Sequence, residues 1–134
     1  MRVKSLLFIG RDKNMKLEQS EHDIQTAIIQ YLTVMGFFVW RNNSGMIAVG
    51  EGKYRRMIKM GVAGLPDVFA LKGGVLYGIE VKRPKGKPTD LQLMQIQALN
   101  KHGAKAFIAH SVDEVVEKIN ENHLTRDDEN ENWK

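Results

Sequence analysis

The sequence predicts a mixed α/β domain in which a central sheet is flanked by helices. Three observations lead there. The hydrophobic pattern changes along the chain in the order helix, three strands, helix, strand, helix. Residues 75–82 alternate strictly, with Val75, Tyr77, Ile79 and Val81 pointing one way and Gly78, Glu80 and Lys82 the other. Lys72-Gly73-Gly74 separates that run from a second apolar one, Val68-Phe69-Ala70-Leu71, and Gly-Gly between two such runs is a hairpin signal. A chain of 134 residues suits one domain with a sizeable core.

The elements follow in order. Residues 1–19 form an extension or an added edge strand over Val3 to Ile9, with Met15 a possible internal start. The folded domain is expected over 20–120. Ser20 reads as a helix N-cap with Asp23 as its capping-box partner, and Ile24, Ala27, Ile28, Tyr31, Leu32 and Met35 recur at helical spacing until Gly36. Phe37-Phe38-Val39-Trp40 is a β-type run closed by the turn chemistry of Arg41-Asn42-Asn43-Ser44-Gly45. Residues 46–63 form a long connection carrying Lys53, Tyr54, Arg55, Arg56 and Lys59. Such a loop can grip phosphates and stack on a base, or it can be an extra hairpin with a solvated surface. After the two strands of the hairpin comes a basic loop, Arg83-Pro84-Lys85-Gly86-Lys87-Pro88, whose prolines end the strand. Thr89 caps a second helix, with Gln92 as capping-box partner, and Gly103 closes it. Residues 104–109 are a short apolar strand. Ser111 caps a last helix, with Glu114 completing a third capping box. From Asn120 the chain turns polar, so 121–134 is expected to be a fraying tail.

Composition narrows the chemistry. There are no cysteines, and the four histidines show no paired ligand spacing. Disulfides and thiolate sites are excluded, so any metal should be oxygen-bound magnesium, manganese or calcium. Leu6-Leu7-Phe8-Ile9 is too short for a signal peptide or a membrane span, which points to the cytoplasm. Between 51 and 90 nine bases outweigh four acids by +5, whereas 111–134 balances to −5. Positive charge gathered in the middle of the chain suits a polyanionic partner, although a solvated basic surface gives the same count.

Folding the hairpin returns Asp67 to the side of Glu80. Glu80 comes thirteen positions after Asp67, and Lys82 follows on the same sheet face. Two carboxylates can hold a hard cation that neutralises a phosphate and acidifies a water. A lysine beside them can position that water or stabilise charge on a pentavalent phosphorus. Val81 points its side chain away but can offer its carbonyl. Glu-x-Lys alone is a common surface pair. Preceded by Gly64-Leu65-Pro66-Asp67 and followed by Arg83-Pro84, it becomes a specific pattern. Glu21, in the first turn of the first helix, can complement the helix dipole or point along the buried face.

These residues resemble the PD-(D/E)xK nuclease superfamily, and more narrowly the VRR-NUC domain in the small stand-alone form found in phages. The resemblance runs from Glu21 and Gln25 through Gly64-Leu65-Pro66-Asp67 and Ile79-Glu80-Val81-Lys82-Arg83-Pro84 to Gln92, Gly103 and Ile119. It implies a restriction-endonuclease-like αβββαβα core. It implies Mg²⁺, replaceable by Mn²⁺, on Asp67, Glu80 and the Val81 carbonyl, with Glu21 reaching the metal through water. Lys82 would be the catalytic lysine and Gln92 an accessory site residue. The implied activity is a structure-selective DNA endonuclease, a homodimer cutting four-way junctions. A flap or exonucleolytic enzyme, or a non-catalytic DNA-binding module, is the alternative. Lys53, Tyr54, Arg55, Arg56, Lys59, Arg83, Lys85 and Lys87 would hold the DNA.

Overall fold

The computed structural model describes residues 19–42 and 45–131, with side chains as far as residue 122. The proposed strand at Val3 to Ile9, Met15 and the turn residues Asn43 and Ser44 lie outside the described residues. The elements are α1 (Glu21–Val34), β1 (Phe38–Arg41), β2 (Met46–Val49), β3 (Arg56–Lys59), β4 (Val68–Lys72), β5 (Val75–Val81), α2 (Asp90–Lys101), β6 (Lys105–Ala109) and α3 (Val112–Glu131). A short 3₁₀ turn, Gly52–Tyr54, lies between β2 and β3.

The main sheet has the order β1-β4-β5-β6. β4 is antiparallel to both β1 and β5, while β6 runs parallel to β5, so the sheet is mixed. The β4–β5 turn is the predicted one. Lys72 pairs with Val75, and Gly73 and Gly74 sit at φ +58° and +76°, a conformation that other residues adopt only with strain. Its register places Val68 opposite Ile79, which sets Asp67 level with Glu80.

Helix α1 starts at the expected capping box: the Asp23 N–H donates to Ser20 Oγ at 3.1 Å, and the Ser20 N–H donates to Asp23 Oδ2. Its buried residues Ile24, Ile28 and Leu32 follow the 3.6-residue period. They pack with Val68, Ala70, Tyr77, Ile79 and Val81 of the sheet and with Val115 and Ile119 of α3. Burial of each such side chain stabilises the fold by roughly 1.5–3 kcal/mol. The alternation in β5 thus divides the molecule: its apolar side chains form the core beneath α1 and α3, and its other face is left for α2 and the polar groups. Helix α2 covers the β5–β6 half of that second face. Asn100 fastens it by bonding both the N–H and the carbonyl of Ala106.

Three features differ from the sequence expectations. Residues 46–59 form an antiparallel hairpin, with Ile47 opposite Ile58. The connection is therefore an extra hairpin, but its surface is not simply wet: Met46, Ile47, Met57 and Ile58 are exposed beside the basic residues. α3 runs to Glu131, past the Asn120 at which polarity suggested fraying, and no glycine or proline lies in 112–131 to interrupt it. At its start Ser111 Oγ accepts the Glu114 N–H as expected, but the Glu114 carboxylate takes the N–H of His110 at 2.8 Å instead of closing the box on Ser111. No helix among the described residues is long and apolar enough to cross a membrane.

Candidate functional site

Asp67, Glu80 and Lys82 come together at one end of the β4–β5 hairpin. Asp67 is half-buried, and its Oδ2 accepts the Val81 N–H at 3.1 Å, which locks the carboxylate against the next strand. Asn42 braces the same corner from β1: its N–H donates to the Asp67 carbonyl at 2.7 Å and its Nδ2 donates to the Pro66 carbonyl at 3.3 Å. Glu80 is 2% exposed, the sole charged residue in the described core. Lys82 Nζ lies 3.6 Å from Glu80 Oε1, and its side chain is 12% exposed. Gly78 keeps the approach to this corner narrow, because a Cβ there would meet Pro66 Cγ at 3.1 Å.

The electrostatics are those of an incomplete charge set. Burial, then the Asp67 charge, push the Glu80 carboxyl up to about 8, against the opposing pull of Lys82. Asp67 is also raised, chiefly by burial, although the Val81 N–H favours its ionised form. Two acids this close do not both ionise without a further positive charge. Glu80 Oε2 is buried and has no hydrogen-bond partner. A buried carboxylate oxygen without a donor is costly, and a hard cation satisfies it with the ligand type that magnesium and manganese prefer. Asp67 and Glu80 thus offer oxygen ligands of the kind a divalent cation takes.

The remaining predicted residues lie further out. Glu21 is half-buried in the first turn of α1, near enough for its charge to help raise Asp67. It does not join the other two in a single cluster: among the described residues no three His, Asp or Glu side chains form a metal-holding group. Gln92 serves the α2 capping box, its Oε1 accepting the Thr89 N–H at 2.9 Å and its N–H donating to Thr89 Oγ1. No described contact brings Gln92 to the acids. Arg83, Lys85 and Lys87 are exposed on the loop that leaves Lys82. Lys53, Tyr54, Arg55, Arg56 and Lys59 are exposed on the β2–β3 hairpin, where Lys53 Nζ stands 5.3 Å from the centre of the Tyr54 ring. That hairpin packs on no other described element.

Sequence reasoning missed Asn42 and the aromatic ladder on the open half of the second sheet face. Phe38, 70% exposed, lies 5.7 Å from Trp40, which stacks on Phe69 at 5.6 Å. The signal for the ladder was present in the alternation of residues 37–40, where Phe37 and Val39 face inward.

A mixed central sheet flanked by helices in this order is the architecture of the restriction-endonuclease-like fold. One solved structure titled "VRR_NUC domain" shares the fold, with a TM-score of 0.57 and 23% sequence identity over 76% of this chain and 97% of its own. Residues 27–133 match the family described as archaeal Holliday junction resolvase (Hjc), and the chain belongs to that family. No curated protein matches the chain.

Proposed function

We propose that this protein is a divalent-cation-dependent DNA endonuclease that cuts four-way junctions as a homodimer. The observation that carries the reading is the orphaned Glu80 Oε2 beside Asp67, with Lys82 at the rim. A buried unpaired carboxylate is unexplained in a binding module and is explained by a cation-dependent phosphodiesterase. A divalent cation at Asp67, Glu80 and the Val81 carbonyl supplies charge neutralisation at the phosphate and a more acidic water. Asp67, fixed by Val81 and by the Asn42 brace, holds its side of the site in place. Lys82 orients the attacking water in line with the leaving 3′ oxygen and stabilises negative charge on phosphorus, which leaves a 5′-phosphate and a 3′-hydroxyl. Glu21 acts from the outer layer through water.

The basic loop 83–87 and the β2–β3 hairpin hold backbone phosphates, which report shape more than sequence. The homodimer reading draws support from the apolar surface left open at Phe38 and Trp40, whose rings lie 5.7 Å apart. Two copies related by a two-fold axis present two sites to opposed strands of a junction. The test incubates labelled duplex, flap and four-way-junction DNA with Mg²⁺, Mn²⁺ or EDTA and weighs the protein by light scattering. Paired symmetric cuts in the junction, lost in EDTA, together with a dimeric mass, are expected. Cutting confined to flaps or free ends makes it a different nuclease, and binding without cutting in any metal overturns the enzymatic reading.

A further inference from the structure

We infer that His110 is a positioning residue for the substrate: it clasps the basic loop 83–88 to the body of the protein. The inference rests on the reading of that loop as a phosphate-binding one. His110 follows β6, and its backbone N–H and both ring nitrogens meet acceptors. Its backbone N–H donates to Glu114 Oε2 at 2.8 Å. Its Nδ1 lies 3.1 Å from the same oxygen, and its Nε2 lies 3.1 Å from the Gly86 carbonyl at the tip of the loop. The preceding carbonyl, that of Ala109, takes the Lys82 N–H at 3.0 Å. Residues 109 and 110 therefore hold the loop at both its root and its tip. Between those points the loop makes one described internal backbone bond, Gly86 N–H to the Arg83 carbonyl at 2.8 Å.

The chemistry of the ring adds a condition. A neutral imidazole carries one N–H and one lone pair, so it can donate to the carboxylate or to the carbonyl, not to both. The doubly protonated ring donates to both. Closing the clasp is thus linked to a proton on His110. Glu114 from α3 faces the ring, while Arg83, Lys85 and Lys87 are exposed on the loop that the ring holds. Asp113, the neighbour on α3, is exposed. DNA phosphates arriving on Arg83, Lys85 and Lys87 meet a loop already held in place, so binding and clasp closure strengthen each other.

The test compares wild type, His110→Ala and Glu114→Gln. Backbone hydrogen exchange over 83–88 reads the clasp without DNA. Fluorescence anisotropy with a labelled four-way junction, no divalent cation added, reads binding from about pH 5.5 to about pH 8.5, the range in which histidine titrates. Expected are faster exchange confined to the loop in both variants and roughly fivefold to tenfold weaker DNA binding at the acid end. A log–log salt slope shallower by about one phosphate contact should accompany this. Wild-type affinity should fall with rising pH by more than that of His110→Ala, and the variant's cleavage rate at saturating DNA should match wild type. Unchanged loop exchange overturns the clasp. Changed exchange with unchanged affinity and pH profile overturns its role toward substrate. Failure of wild type to bind DNA, with the loop still His110-dependent, removes the substrate role and places the fault in the nuclease reading rather than in the clasp.

Discussion

The β4–β5 and β2–β3 hairpins are both antiparallel ribbons joined at glycines, yet they live under opposite conditions. In β4–β5 one face is sealed beneath α1 and α3, and even Glu80 on the other face is buried. In β2–β3 every residue of both strands is exposed, and no other described element touches it. A lone two-stranded ribbon is marginal in water, so the outer hairpin keeps its shape from a tight turn rather than from a core. Gly50, at φ +88°, lets the chain pass so close to Tyr54 that a Cβ would sit 2.6 Å from its carbonyl. The contrast teaches where each kind of charge belongs. Carboxylates meant to act on one atom are held rigidly in a dry place. Cations meant to meet a long polyanion sit where they can adapt.

The sharpest way to break the contrast is to remove the inner charges. Asp67→Ala and Lys82→Ala should each lower the cleavage rate by about 10³-fold or more while leaving junction binding within about twofold, as read by single-turnover cleavage and anisotropy. Full activity in either would dismantle the site. On the outer hairpin the opposite split is expected. Arg55→Ala with Arg56→Ala should weaken junction binding about tenfold and flatten the salt slope by about two phosphate contacts, with the rate at saturating DNA unchanged. A loss of rate without a loss of affinity would place the hairpin in the chemistry.

The next effect is on stability. The native Glu80 carboxyl is raised to about 8 from an ordinary 4.5, so across that interval the folded protein holds a proton that the unfolded chain has released. Its contribution to stability is full below the unfolded value and is lost as pH rises through the folded one. Melting of the metal-free protein should therefore drop by several degrees from about pH 5 to about pH 9, where the carboxylate is buried and ionised. Mg²⁺ should shrink that drop. Glu80→Gln should melt higher than wild type at the alkaline end without metal and be inactive with it. A melting temperature that rises with pH would contradict the burial argument. The smallest effect is steric: Gly78→Ala presses on Pro66 and should cost about 1 kcal/mol by urea unfolding, with a several-fold loss of rate as Asp67 shifts.

Legibility in the sequence followed burial. β5 could be read because one face is buried, which imposes a strict period of two. α1 and α2 could be read because Ser20 with Asp23 and Thr89 with Gln92 cap them locally. The convergence of Asp67 and Glu80 came from Gly73-Gly74 and simple counting. The outer hairpin stayed ambiguous because a ribbon exposed on both faces has no reason to alternate: Ile47 and Val49 on one face are matched by Met46 and Ala48 on the other. The contacts of Asn42 with Pro66 and of His110 with Gly86 span 24 residues each, and no local pattern encodes them. Gln92 shows a related limit, since one side chain served equally as a helix cap and as an accessory site residue on paper.

The turn at Gly73 and Gly74 has a consequence beyond geometry. Because it is so tight, Asp67, Glu80 and Lys82 of the proposed site fall within residues 67–82 of uninterrupted chain, a cassette that assembles from neighbours in sequence. The ribbon at 46–59 is spliced in upstream of it and shares none of its contacts. Exchanging that ribbon for a longer or shorter one costs little, about 0.6 kcal/mol per doubling of loop length. If the proposed function holds, the nucleic acid that is grasped can therefore drift or be engineered while the proposed cutting residues stay untouched.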